Sequence, residues 1–473
     1  VKSSSFGRCQ MLLPCLLLAA GGSGFLRAQT PIGTLISEQS RTNFTVQGAG
    51  ARAMGLGGAF IAVADDATAV SFNPAGLAQL LHPEVSFVAR GTQRSVSYED
   101  FETSSQGRIL AVSDSLVSST RFDPLFISAT APLQVAGRNL VLQLSIQRAL
   151  ALTDHSHRTL TESPLTTSGS PSLLVQDITQ TGQIDLYSLA AAYEVSQRIL
   201  LGFSYNQWRG RWDLVSTSLR TTGTTQTVAT FQQGNAMDGE NFNLGLIWRW
   251  PTWSFGIVHR TGFHADYTFA TQLATNLPRG GFTGSPMSTG LHWPSGTGLG
   301  YAYRPTDQWL ITADLSHTLW STTRYMSDSP RLNGQSFFDF DKGDRTPNAT
   351  DLHLGTEYLH ITSNGTVIPL RAGISREPQP VVDAATGLQR VMYRVALGTG
   401  LKQGPLGLDV AYRYGWSNRR VSKALDVDQI LSRIGSTSLG TERIREHRLD
   451  LSAIIQFDRK PLERVLRHLF VGD

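Results

Sequence analysis

From Glu84 onward, apolar and polar residues alternate with a period of two, the signature of strands with two unlike faces. Asn139 to Gln147 puts Leu140, Leu142, Leu144 and Ile146 on one face, against Val141, Gln143, Ser145 and Gln147. Ile184 to Tyr193 and Ile199 to Gln207 flank Gln197-Arg198 and predict a hairpin. Asn241 to Trp248 and Trp253 to His259 flank Pro251-Thr252 in the same way. The series continues through Thr297 to Tyr303, Trp309 to Leu315, Leu352 to Tyr358, Val367 to Ile374, Met392 to Leu397 and Leu406 to Tyr412. It closes with Leu449 to Phe457.

The longer spans match the 9 to 11 residues, roughly, that a tilted strand needs to cross a bilayer. Some connections are tight, as at Pro305-Thr306-Asp307 and Gln403-Gly404-Pro405. Others are long and polar, as at Asp154 to Ile178 and Asp328 to Ala349. Unequal connections suit a barrel with one end in the periplasm and the other outside. No later segment is an apolar helix long enough to span, so the option left in lipid is a closed barrel. The pattern predicts an all-β fold: an outer-membrane antiparallel β-barrel of about 14 strands. Trp208, Tyr205, Trp248, Trp250, Trp253, Trp309 and Tyr414 are candidates for its interfacial belts. A soluble β-sandwich shares the alternation; strand number, strand length and the aromatic placement favour the membrane barrel.

The ends differ from this body. Lys2 and Arg8, the apolar run Met11 to Ala20 and the stretch Leu26-Arg27-Ala28 predict a signal peptide over residues 1–28. Both cysteines, Cys9 and Cys15, fall within it, so the mature chain has no disulfide to use. Removing Lys2, Arg8 and Arg27 from 41 basic residues leaves 38 against 37 acidic ones. That balance gives no electrostatic argument for nucleic acid. At the other end, Leu462, Val465, Leu466, Leu469 and Phe470 have helical spacing and predict an amphipathic tail over 458–473. The barrel itself is expected over 84–457.

Residues 29–83 hold a different pattern. Gly48, Gly50, Gly55, Gly57, Gly58 and Gly76 are interleaved with alanines, which keeps the segment narrow and lets backbone approach backbone. Asp65-Asp66 is a candidate cap for a short helix, and Asn73 before Pro74 ends it. The segment predicts a compact hatch in the barrel lumen. A surface loop with a helix is the plainer reading. A phosphate loop is disfavoured, since no Gly-Lys-Ser/Thr ending and no nearby lysine is present.

Ala51-Arg52-Ala53-Met54-Gly55, Gly57-Gly58-Ala59-Phe60, Ala64-Asp65-Asp66 and Asn73-Pro74-Ala75-Gly76-Leu77 follow one another in a specific order. In that order the segment resembles the start of the outer-membrane hydrophobic-compound transporters, the family of long-chain fatty acid and toluene-transport proteins. Leu299 to Pro305 with Trp309 and Asp314, and Arg371 to Ile374 with Pro378, resemble later strands of the family. The resemblance implies 14 strands, a lumenal hatch and an apolar ligand that leaves through a gap in the barrel wall. Asn73, Pro74 and Ala75 match the hatch motif. Two departures stand out: Asp154 to Ile178 and Val215 to Ala236 are rich in Thr, Ser and Gln, and the chain runs on past Phe457.

Other chemistry is thin. Ser71 with Asp65, Asp66 and His82 lacks a nucleophile elbow, so no catalysis is expected. His155 and His157 lack the spacing of a zinc helix, and Asp339 to Asp344 lacks the ligand spacing of a calcium loop. No metal and no cofactor is expected. Arg148, Arg209, Arg211 and Arg249 are candidates either to line the lumen and meet a carboxylate or to reach headgroups from strand ends. The expected function is a hatch-gated outer-membrane channel for hydrophobic compounds, such as fatty acids or aromatic hydrocarbons. Its alternatives are a scaffold or secretion-associated barrel and a polar porin. The expected partners are outer-membrane lipid and lipopolysaccharide, a hydrophobic ligand and the barrel-assembly machinery.

Overall fold

The computed structural model describes residues 46, 48–99, 102–105, 108–113, 117–162, 172–276, 281–330, 332–337, 346–382, 387–422 and 439–458. The expected signal peptide, the Asp339 to Asp344 loop and, beyond Asp458, the expected tail lie outside the described residues.

Fourteen strands pair antiparallel, each with its neighbour in sequence, and the last pairs with the first. They are β1 (Glu84–Glu99), β2 (Val117–Val135), β3 (Arg138–Ala151), β4 (Ser172–Ser196), β5 (Ile199–Thr222), β6 (Thr225–Arg249) and β7 (Trp253–Arg260). The second half comprises β8 (Gly296–Thr306), β9 (Trp309–Thr318), β10 (Ala349–Ile361), β11 (Val367–Val382), β12 (Gln389–Gln403), β13 (Leu406–Ser422) and β14 (Leu439–Gln456). The ring closes where Glu84 stands opposite Gln456 and Glu99 opposite Thr441. Pairing of the last strand with the first leaves the ring without a free edge strand, which is what lets strands cross a hydrocarbon layer.

The two faces invert the arrangement of a water-soluble protein. On β14, Glu442, Glu446, Arg448 and Asp450 are buried inside, while Leu449, Leu451 and Ile455 stand exposed outside. Leu144, Leu189, Leu244, Ile311, Leu370 and Leu397 continue that outer apolar band around the barrel. An apolar surface of this extent faces lipid.

The barrel ends differ as unequal connections require. One end carries tight turns, such as Ala136-Gly137 and Gly404-Pro405. The other carries extra strands, among them Asp154–Glu162, Phe263–Thr275 and Met287–Trp293. One segment expected as a long polar connection, and one noted for its Thr, Ser and Gln, are strand. Asp154 to Ile178 contributes a strand on each side of the undescribed residues 163–171. Val215 to Ala236 forms the upper hairpin of β5 and β6, turning at Gly223. Their threonines are β-branched, and a strand projecting above the membrane needs no apolar face.

Trp208 corrects another expectation. It is 5% exposed and points inward, with its indole Nε1–H donating to Asn241 Oδ1 at 2.8 Å. Tyr205 lies an odd number of residues away on the same strand and points outward. One strand cannot place both on one face. Trp248, Trp250 and Trp253 do cluster at the tight-turn end, with ring centroids 5.5 to 6.0 Å apart.

Candidate functional site: the lumenal hatch, the cavity above it and the opening in the wall

Residues 48–80 lie inside the barrel. A five-residue helix, Ala51–Gly55, is followed by turns and by two 3-10 helices, Ala69–Ser71 and Pro74–Gln79. Such short pieces have little stability alone, so the barrel wall must hold them. It does so in two ways.

The first is close backbone approach. A Cβ at Gly202 of β5 would sit 2.1 Å from Ala75 N, and one at Gly245 of β6 would sit 2.1 Å from Asn73 Oδ1. A Cβ at Gly256 would meet Ile61 O at 2.5 Å, and one at Gly300 would meet Ala62 N at 2.7 Å. One at Gly355 would meet Leu56 O at 2.4 Å, and one at Gly373 would meet Gly57 N at 2.2 Å. These wall glycines stand opposite one another in three cross-strand pairs: Gly202 with Gly245, Gly256 with Gly300, and Gly355 with Gly373. Glycine weakens a strand, and here it opens a girdle that admits the hatch backbone.

The second is directed hydrogen bonding. Asn73 Oδ1 accepts from Ala75 N at 3.1 Å, capping the second 3-10 helix. Its Nδ2 lies 3.0 Å from Ile61 O, 3.2 Å from Leu246 O of β6 and 3.3 Å from Ile257 O of β7. One side chain thus ties the hatch to itself and to two wall strands. Pro74, at the first helical position, gives up no hydrogen bond there. Phe60 N and Ile61 N donate to Asp314 Oδ2 at 2.6 and 2.8 Å, and Ala51 N donates to Ser452 Oγ at 2.6 Å. Arg52 donates to Asp65 and to both oxygens of Glu357. Burial opposes the Arg52 charge, but Asp65 and Glu357 outweigh it and hold the guanidinium protonated. Asp66 does not cap a helix; its Oδ1 accepts from Thr68 N and Oγ1 at 2.8 and 2.6 Å. Burial pushes the Asp66 carboxyl up.

The hatch glycines divide by role. Gly57 and Gly58 adopt φ of 69° and 90°, and Gly50 also has positive φ. At Gly48, Gly55 and Gly76 closeness rules: a Cβ at Gly76 would lie 1.9 Å from Ala64 O.

A cavity of about 160 Å³ sits on the external side of the hatch. Phe72, Trp208, Trp293 and Trp320 supply its aromatic lining, and Arg260, Asp314, Asp351, Glu377 and Arg413 its charged lining, with His353 beside them. The tryptophans touch in sequence, Trp208 to Trp293 and Trp293 to Trp320, each with centroids 5.7 Å apart. They belong to one apolar cluster that also holds Phe263, Tyr267, Leu291, Ile184, Leu186, Leu150 and Leu152.

That cluster ends at a break in the wall. Strands β2 and β3 pair from Val135–Arg138 up to Phe126–Gln147, and on that side β2 next pairs only at Val117, with Ser156 of the extra strand Asp154–Glu162. Between these points the two strands run unpaired, while β2 keeps its ladder with β1 and β3 keeps its ladder with β4. A bulge at Ala149 turns Leu150 and Leu152 inward at the break. Polar side chains cross it. Arg148 Nη1 donates to Asp123 Oδ1 at 3.0 Å and Arg121 Nη1 donates to Thr153 O at 3.0 Å. The hatch stands beside it, with Ser71 Oγ donating to Gln147 Oε1 at 2.7 Å.

Of the arginines read from the sequence, Arg148 is therefore at the wall opening. Arg209 and Arg211 lie on the outer parity of β5, and Arg249 pairs with Glu194 at the tight-turn end. None of the four lines the cavity. His155 and His157 stand exposed on the external extension, bonded to Thr179 and Asp177. The sequence reading missed the wall glycines and the aromatic cluster. Both left a signal: glycines at register positions inside alternating strands, and Phe263, Ala265, Tyr267 and Phe269 at period two.

A family model for the outer membrane protein transport protein (OMPP1/FadL/TodX) matches residues 37–438. The fold matches the crystal structure of a Pseudomonas aeruginosa FadL homologue at 15% identity, with a TM-score of 0.64 over 88% of this chain and 100% of that one. It also matches the P. putida toluene transporter TodX at 14% identity, with a TM-score of 0.57 over 87% and 99%. The Ralstonia pickettii toluene transporter TbuX aligns at 13% identity, with a TM-score of 0.55 over 88% and 100%. No curated protein matches the chain. With the closed fourteen-strand ring and its outer apolar band, the match over most of the sequence makes this chain an outer-membrane β-barrel belonging to the outer membrane protein transport family.

Proposed function

We propose that the chain is a channel, not an enzyme, that passes small hydrophobic compounds from outside into the outer membrane through the opening between β2 and β3. One observation carries this reading. A single apolar cluster runs from the cavity tryptophans to Leu150 and Leu152 at the unpaired stretch. Moving an apolar molecule along such a surface avoids returning it to water, and partition into lipid supplies the driving force. The hatch blocks the straight route down the lumen, so the wall is the shorter exit. Displacement of the hatch near Ser71 and of the Arg148–Asp123 bridge is the gating step. Asn73, Pro74 and Ala75 hold the hatch in the closed position. Toluene transporters of the same fold favour a cargo of this kind. Size sharpens the class. An apolar cavity of about 150 Å³ is enough for benzene, so the cavity suits a single aromatic ring and is short for an extended fatty chain.

Initial uptake of labelled toluene and of a small sugar by Gram-negative cells carrying the chain tests the reading. Faster toluene entry with unchanged sugar entry is expected. Equal acceleration of both would identify a polar porin. No acceleration of either would favour a scaffold or secretion role.

A further inference from the structure

The cavity is not uniformly apolar. Asp314 and Asp351 both line it, and each has one carboxylate oxygen, Oδ1, that is buried without a hydrogen-bond partner. Asp314 is 2% exposed, and its Oδ2 is already committed to the hatch through Phe60 N and Ile61 N. Arg260 lies in the same lining, but its Nη2 donates to Ser71 O and Phe72 O of the hatch, at 3.4 and 3.2 Å. Among the described residues it forms no ion pair with either aspartate. Glu377 is held by Arg394 and by Ser375. The cavity therefore sets two free acceptors beside three tryptophans.

A buried acceptor left unpaired is costly, and a ligand that donates to it gains what a hydrocarbon cannot. We propose that the cavity selects a single-ring aromatic compound bearing an uncharged O–H or N–H donor, of which phenol is the simplest. The ring packs against Trp208, Trp293 and Trp320, and the donor reaches Asp351 or Asp314. An aromatic carboxylate or a fatty acid offers further acceptor oxygens where the lining already has two unpartnered ones, and is disfavoured. Arg260 and Arg413 already bring cationic groups to the lining, so a neutral donor fits better than a cation. The inference rests on the uptake reading above and narrows its substrate class.

Calorimetric titration of the full purified chain in detergent separates the two claims. Toluene, phenol and benzoate are the probes; toluene and phenol differ only in methyl against hydroxyl. Phenol is expected to bind about tenfold more tightly than toluene, the size of one hydrogen bond to a buried acceptor, with benzoate weakest. Asp351→Ala should weaken phenol by about the same factor and leave toluene within about twofold. Asp351→Asn keeps the side-chain volume and should fall between, with the heat-dependent gel shift of a folded barrel checking both variants. Toluene binding as tightly as phenol, or benzoate binding best, would overturn the inference while leaving hydrophobic uptake intact. Equal loss of toluene and phenol in Asp351→Ala would overturn it too. Failure of every probe to bind, with no accelerated toluene uptake by cells, would remove the uptake reading itself.

Discussion

Strands β3 to β9 and strands β10 to β14 meet the lumen with different chemistry. Above the hatch, the first group and its external extensions present Leu150, Ile184, Trp208, Trp212, Phe263 and Trp293. The second presents charge. Arg394 sits between Glu377 and Glu446, Glu442 is shared by Arg390 and Arg419, and Arg371 bridges Glu357 and Asp409. Buried ion pairs of this kind fix geometry more surely than they add stability. Apolar contacts are non-directional and slide at little cost. The comparison assigns rigidity to one half of the barrel and passage to the other, and the stretch left unpaired between β2 and β3 borders the apolar half.

The largest expected effect comes from breaking the charged half. Arg394→Met leaves Glu377 and Glu446 buried without their shared partner, at a cost of about 3–5 kcal/mol. The midpoint of the heat-dependent gel shift should fall sharply. An unchanged midpoint would mean that the ladder does not hold the barrel.

Gly245→Val tests the girdle next. The new side chain must displace Asn73 or the wall, costing about 1–3 kcal/mol. Ion conductance in planar bilayers should rise while strand content stays constant. Asn73→Ala removes the cap and the links to β6 and β7, for about 0.5–2 kcal/mol from the cap alone. It should raise conductance less than Gly245→Val. Removal of residues 48–76 should raise it most. Constant conductance across the series would contradict gating by the hatch.

Arg209→Ala and Arg211→Ala give the smallest effect. Both residues face outward, and such surface changes stay within about 0.5 kcal/mol. Toluene uptake should match the parent chain. A loss of uptake would return these arginines to the transport path.

Much of this architecture was legible in the chain because a barrel strand writes its two faces into alternate residues. Leu140 to Ile146 against Val141 to Gln147, and Leu449 to Phe457, carry that signal directly. Other features depend on partners far away in sequence. The closure of β1 on β14 is set by ring geometry. The seat for the hatch needs Gly202 opposite Gly245 and Gly355 opposite Gly373, which only the register shows. The inward turn of Trp208 was readable from its parity with Tyr205. The break between β2 and β3 was not readable, since it is an absence of pairing between strands whose residues alternate normally. The polar external segments misled for a physical reason: strands above the membrane keep their pairing after losing their apolar face.

The most direct test pins the wall opening. Beyond Cys9 and Cys15 the chain has no cysteine, so Asp123→Cys with Arg148→Cys provides a clean pair across the unpaired stretch. Toluene uptake by cells carrying this double variant is measured before and after treatment with a short bis-maleimide. Uptake at or above the parent rate before cross-linking, and close to background after it, is the predicted result. Uptake that is unchanged by a complete cross-link would show that cargo does not leave between β2 and β3.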